Sequence, residues 1–223
     1  LKLVKRSNQP VTRELIIETY RKRRTAIRRR LKDFRLVKLE SNDERFWEEM
    51  VYCFFTGGCS AKMGLRAVDA VRPLLIAGSR EELAAALKGV HRYPNARSRY
   101  VVESREYIRS RLGFRLSETL ESFNCPLERR DWLVREPGIK GLGYKEASHF
   151  LRNVGYRGYA ILDKHVLRCL KDLGVIDNDK PPATRLRYLQ TEEKLRQLAK
   201  DLSIGFDELD LVLWSVKTGE ILK

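Results

Sequence analysis

Apolar residues recur every three to four positions along almost the whole of this chain, and that one period confines it to helices packed on helices. Between Thr12 and Leu31 the stripe is Leu15, Ile16, Thr19, Ala26, Ile27 and Leu31. Ser41 and Asn42 stand as caps before Asp43 and Glu44, which predicts a second helix to about Phe55. Thr56-Gly57-Gly58-Cys59-Ser60 reads as a turn, Ala61 to Val71 as a third helix closed by Pro73, and Ser79-Arg80-Glu81-Glu82 as a capping box opening a fourth. A loop from Gly89 to Asn95 precedes a long basic helix reaching about Arg111. Further helices are predicted over Pro126 to Arg135 and Tyr144 to Val154, and from Asp163, Thr184 and Phe206 onward. No period-2 alternation with β-branched enrichment persists, and there is no internal repeat. The expectation is an all-α fold of about ten helices with short connections.

Charge says what such a bundle meets. Against 30 acidic side chains stand 45 basic ones, a formal +15 on 223 residues. An excess of that size costs self-repulsion and points to a polyanion, nucleic acid first. The plain alternative is a solvated surface suited to salt or heat, since 34% of residues are charged and Met numbers only 2. From Arg21 to Lys32 the chain has basic residues and no acid, a run able to track a phosphate backbone or to lie in solvent. With 43% hydrophobic residues the chain can pack a core, which excludes a disordered basic tail. Cys53, Cys59, Cys125 and Cys169 are scattered, which argues against a disulfide frame, zinc fingers and iron–sulfur ligation, so no metal or cofactor is expected. No apolar run approaches the ~18 residues of a membrane span, and Leu1-Lys2-Leu3-Val4-Lys5-Arg6 lacks the apolar core of a signal peptide. An intracellular, monomeric protein with no membrane association is expected.

The most informative segment is Glu136-Pro137-Gly138-Ile139-Lys140-Gly141-Leu142-Gly143-Tyr144-Lys145. Pro137 and Gly138 stop one helix. Gly141 and Gly143 allow positive φ and carry no Cβ, so backbone N–H groups at the start of the next helix can approach a phosphate. An ordinary tight helix–helix turn would use glycines in the same way. The wider context is a lysine two positions after the second glycine and an aspartate 18 residues beyond that lysine.

With these residues the sequence resembles the helix-hairpin-helix DNA glycosylases, and most closely their archaeal-type (type 2) 8-oxoguanine branch. Gly143-Tyr144-Lys145-Glu146-Ala147-Ser148-His149-Phe150-Leu151-Arg152-Asn153 is similar to that branch's hairpin helix. Leu209-Asp210-Leu211-Val212-Leu213-Trp214 and the terminal Gly219-Glu220-Ile221-Leu222-Lys223 are similar to its C-terminal signature. The similarity runs from about Asp43 onward. Lys140 stands where many hairpins have proline, and the loop before Asp163 has Gly155 and Gly158 but no proline. Endonuclease III-like enzymes share the hairpin but end in four clustered cysteines, whereas beyond Asp163 this chain has only Cys169.

The resemblance implies a two-domain helix-hairpin-helix glycosylase fold. Residues 1–40 with 159–223 would form a domain of N- and C-terminal helices, and 41–158 a domain containing the hairpin. It also implies excision of 8-oxoguanine from double-stranded DNA, with strand cutting through a Schiff base on Lys145 and with Asp163 as the catalytic carboxylate. An attacking amine must be uncharged. A place in the first turn of a helix and burial under an extruded nucleotide both disfavour an ammonium, although a lysine there can equally be a solvated surface group. Asp163 falls where an N-cap belongs and is expected to cap its helix as well as stabilise positive charge growing on the sugar. In the base pocket the resemblance places Trp214 as a stacking wall, with core packing as its plain alternative, together with His149, Asp210 and Lys223. On the DNA side it places Lys140, Gly141, Gly143 and His165, while Arg92-Tyr93-Pro94, in a loop before a basic helix, points to Tyr93 as a wedge. A non-catalytic helix-hairpin-helix module and a glycosylase for another damaged base stand as rivals.

Overall fold

The computed structural model describes residues 10–222, so the Leu1–Arg6 segment and Lys223 lie outside the described residues. These residues form eleven α-helices and one short 3-10 turn, with no strand among them. Contacts divide the chain into two compact units, Leu1–Phe34 with Arg157–Lys223, and Arg35–Tyr156. The first division falls inside a single helix, α1 (Arg13–Glu40).

In the unit Arg35–Tyr156 the centre is α2 (Asp43–Thr56), whose residues from Phe46 to Thr56 are all buried. A helix apolar on every side belongs in the middle of a bundle. It packs against α3 (Ala61–Val71), α5 (Pro94–Leu112), α6 (Leu116–Glu121) and α8 (Tyr144–Asn153). Glu48 and Glu49 are the charged exceptions in this stretch of α2. Arg45 holds both, at 2.6 and 2.8 Å, Arg72 joins Glu48, and Asn153 Nδ2 donates to Glu49 at 3.0 Å. A buried charge without such partners would be costly. Side-chain caps start α2 at Asn42, α3 at Ser60, and α4 (Arg80–Leu87) at the reciprocal Ser79–Glu82 box. Proline at the first position opens both α5 and α7 (Pro126–Arg135).

The other unit packs α11 (Phe206–Thr218) against α9 (Lys164–Asp172) and α10 (Arg185–Asp201). Helix α1 buries Ile16 and Ile27 there, and Glu208 of α11 ties to it by accepting from Tyr20 at 2.6 Å and Arg28 at 2.7 Å. Asp172 joins Lys217 at 2.7 Å.

Three sequence expectations change. Helix α1 runs to Glu40 rather than ending near Leu31, anchored on the buried Phe34. Ser41, at φ 46, closes α1 by returning its hydroxyl to the Lys38 carbonyl, and Asn42 alone caps α2. The six-residue α6 was not anticipated, because a helix that short shows too little of its period. Among the described residues no helix is long and apolar enough to cross a membrane.

Candidate active site and nucleic-acid interface

The hairpin between α7 and α8 is built on one face of α5. Tyr100, Ser104 and Tyr107 stand at i, i+4 and i+7, and each meets a different hairpin residue. Ser104 Oγ accepts the Lys140 N–H at 2.9 Å. A Cβ on Gly141 would come 2.5 and 2.8 Å from the Tyr100 ring, and one on Gly138 would run into the Tyr107 ring. Gly141 also sits at φ +75°, a left-handed conformation that favours glycine. Gly143 departs from expectation. At φ −87° and ψ −177° it has ordinary extended backbone, and a Cβ there would meet only Glu146 Oε2, at 3.3 Å. The hairpin needs Gly141 and Gly138 for shape, and shape makes no such demand of Gly143.

Gly143 is the N-cap of α8 and brings no side chain to it, unlike Asn42, Ser60 and Ser79 at their helices. The N-cap thus offers no side-chain acceptor to the first turn of α8, which lies in the positive end of the helix dipole. That turn borders a shallow groove of about 580 Å³ lined by Gly57, Gly58, Arg97, Tyr100, Lys140 and the rest of the hairpin. Arg97 shapes the groove by donating to the Gly57 carbonyl and lying 5.2 Å from the Tyr100 ring centre. Arg97, Arg135 and Lys140 bring positive charge to the groove, and Glu136 and Glu146 line it as well.

Lys145 lies in the first turn of α8 with its side chain 24% exposed, and its Nζ is 3.2 Å from Glu146 Oε1. His149, one turn on, is buried with its ring edge-on to Tyr52 at 5.5 Å. Tyr93 is exposed at the start of α5, with Arg92 and Arg97 5.4 and 5.8 Å from its ring. His91 holds that corner. Its Nδ1 accepts the Tyr93 N–H at 3.0 Å, so Nε2 carries the proton donated to the Phe55 carbonyl at 2.9 Å. Burial holds its pKa below the ordinary imidazole value, against the Phe55 bond and with help from Arg97. A histidine depressed on folding contributes stability that is full above about pH 6.5 and is lost as pH falls through its lower folded value. Denaturant unfolding at pH 7.5 and pH 5 should therefore show a larger loss on acidification for the wild type than for His91→Gln. Equal losses would remove His91 as the strut.

In the other unit Asp163 caps α9, its Oδ1 accepting from the His165 and Val166 N–H groups at 2.8 and 2.9 Å. His165 meets Trp214 edge-on at 6.3 Å, and Trp214 of α11 is only half-buried. Asp210 is buried and accepts the Ile161 N–H at 3.2 Å, inside the loop that delivers Asp163. Burial pushes the Cys169 thiol up to about 12, which leaves it inert near neutral pH. Lys223 lies outside the described residues.

The family model described as 8-oxoguanine DNA glycosylase matches residues 27–204. The chain belongs to the 8-oxoguanine DNA glycosylase family. The 8-oxoguanine DNA glycosylase/AP lyase of Korarchaeum cryptofilum is 39% identical over 90% of this chain and 91% of its own length. The crystal structure of the Thermotoga maritima 8-oxoguanine DNA glycosylase superposes with a TM-score of 0.85 at 33% identity, covering 95% of this chain and 98% of that one. The Methanocaldococcus jannaschii 8-oxoguanine glycosylase/lyase, crystallised with a 15mer DNA containing 8-oxoguanine, gives 0.84 at 33% identity over 94% and 100%. In this member of the 8-oxoguanine DNA glycosylase family, sequence reasoning missed Tyr100, Ser104 and Tyr107, which build the hairpin. Their i, i+4, i+7 spacing on α5 was the available signal. It also missed Tyr188 and Glu192 of α10.

Proposed function

We propose that this protein excises 8-oxoguanine from duplex DNA and then cuts the strand, with Lys145 as nucleophile and Asp163 as the electrostatic partner. The observation that carries the reading is Lys145 itself. It stands in the first turn of α8, whose N-cap Gly143 brings no side chain, directly after the hairpin. The reaction needs the lesion turned out of the stack. The uncharged amine bonds to the sugar C1′ while the pair of the N9–C1′ bond leaves with the base, which takes up a proton. The adduct opens to an iminium as the ring oxygen is protonated. Loss of a 2′ proton then expels the 3′-phosphate and breaks the strand. Asp163 stabilises the positive charge that grows on the sugar as the base departs. Trp214, half-buried beside His165, offers an aromatic face for the flipped base, where stacking is worth about 1–3 kcal/mol.

Duplexes each carrying one damaged base separate this reading from its rivals. Borohydride should trap a covalent adduct with 8-oxoguanine DNA and far less with the others. A binding module would give no adduct at all, and a glycosylase for another lesion would give its strongest adduct elsewhere in the panel.

The hairpin makes its own prediction. Gly141→Ala should destabilise the fold by about 1–3 kcal/mol through left-handed strain alone, with the Tyr100 clash added to it. Gly143→Ala should melt only slightly earlier than the wild type, alanine being a poorer N-cap, yet bind duplex more weakly, because its methyl group stands before the α8 amides. Unchanged affinity in Gly143→Ala would show that phosphate lies elsewhere.

The basic run on α1 is narrower than its composition suggests. Arg28 is paired with Glu208, Lys22 with Glu18, and Arg30 reaches Asp33 at 3.5 Å. Arg21, Arg24, Arg29 and Lys32 are also exposed, and Arg21, Arg24 and Lys32 share one side of the helix. If they meet DNA, neutralising all three should flatten the slope of log affinity against log salt by about 0.9 for each phosphate they had neutralised. An unchanged slope would return that face to solvent.

A further inference from the structure

The segment that leads into Asp163 is held along its length by side chains from two helices. Tyr188, Glu192 and Arg196 stand one turn apart on a single face of α10. The Tyr188 hydroxyl donates to the Ala160 carbonyl at 2.7 Å and accepts the Leu162 N–H at 3.4 Å. Glu192 accepts the Ala160 N–H at 2.9 Å, and Arg196 donates to the Gly158 carbonyl at 3.3 Å. From α11, Asp207 accepts the Gly158 N–H at 2.9 Å and Asp210 the Ile161 N–H at 3.2 Å.

The spacing explains the pattern. Four helical residues advance about 6 Å along the axis, and two residues of extended chain advance about 6.6 Å. Successive turns of α10, taken backward from Arg196, therefore meet residues 158, 160 and 162 in order. Ala160, Ile161 and Leu162 are buried, as are Tyr188, Glu192 and Asp210. A buried N–H that loses its acceptor is costly, so these acceptors admit one register. A slip of one residue would turn each N–H away from its partner and move Asp163 by about 3.3 Å.

We propose that Tyr188 and Glu192 are positioning residues for the reaction, fixing the register of 158–162 so that the Asp163 carboxylate is delivered to one place at the start of α9. The proposal rests on the reading of Asp163 as the catalytic carboxylate. Single-turnover excision from an 8-oxoguanine duplex should be measured for Tyr188→Phe, Glu192→Ala and Glu192→Gln, each alone and combined with Asp163→Asn. Tyr188→Phe and Glu192→Ala should each slow excision about tenfold or more, the scale expected of a misplaced group, with duplex affinity unchanged. Glu192→Gln keeps an acceptor oxygen and should restore most of the rate. In the Asp163→Asn background the same changes should cost nothing further, because the group they position has already been disabled. An equal fold-loss in both backgrounds would overturn the proposal by showing a general structural role, and so would wild-type rates for Tyr188→Phe and Glu192→Ala. Tyr188→Phe removes only a hydroxyl and carries the test if Glu192→Ala does not fold. A wild-type rate for Asp163→Asn alone would instead overturn the reading of Asp163 beneath it.

Discussion

Lys145→Gln is expected to form no borohydride-trapped adduct and to lose excision and strand cutting by about 10³-fold or more, as when other enzymes lose a nucleophile. Its affinity for 8-oxoguanine duplex should stay close to that of the wild type. The separation follows from where each property resides. Affinity is assigned to the α8 amides and to the groove beside the hairpin, which Lys145 does not line. The bond to C1′ is assigned to one nitrogen. Glutamine keeps a polar side chain of similar reach in the first turn, and the ion pair it forgoes with Glu146 joins two adjacent, partly exposed residues. Pairs at the protein surface contribute about 0–1 kcal/mol, so the melting temperature should barely move. An adduct retained in Lys145→Gln would mean that another amine does the chemistry.

Asp163→Asn is expected to slow excision by about 10²–10³-fold, the scale of removing one preorganised electrostatic group. Folding should survive. Asp163 Oδ1 accepts from the His165 and Val166 N–H groups, and an asparagine oxygen can accept both. Asparagine caps helices as well as aspartate does, and losing the charge at the α9 dipole costs about 0.3–1 kcal/mol. Asp163→Ala would confound the two roles, because it removes the cap and the carboxylate together. The pair of variants therefore separates them: Asn should fold and fail to catalyse, while Ala should also melt earlier. If Asn excised at the wild-type rate, Asp163 would be a cap and nothing more.

Period and punctuation carried most of the fold. The proline at the first position of α7, the Ser79–Glu82 box and the Asn42 cap are local devices, and each could be read before any tertiary contact was known, whereas Pro94, read as loop, in fact opens α5. The length of α1 could not. Its last turns expose Leu36 and Leu39, so their apolar character did not mark a buried stripe, and the helix continues because Phe34 is anchored. The hairpin was legible as Gly141 and Gly143 after the Pro137-Gly138 stop, but what each glycine is for was not. Gly141 answers to Tyr100, a residue 41 positions earlier, and the ordinary backbone angles of Gly143 follow from the start of α8. Asp163 was legible as a cap because capping is local. The ladder from α10 was not, because it joins residues 26 to 38 positions apart through hydrogen bonds to backbone, and a backbone N–H has no signature in sequence.

The central claim is that one amine, Lys145, attacks the sugar beneath an 8-oxoguanine. The most direct measurement is to trap the full-length wild-type protein on an 8-oxoguanine duplex with borohydride, digest the adduct, and locate the modified residue by mass spectrometry. The account predicts a single cross-linked peptide containing Lys145, with the sugar remnant on its Nζ. A remnant on any other lysine, or no adduct while the base is still released, would contradict it.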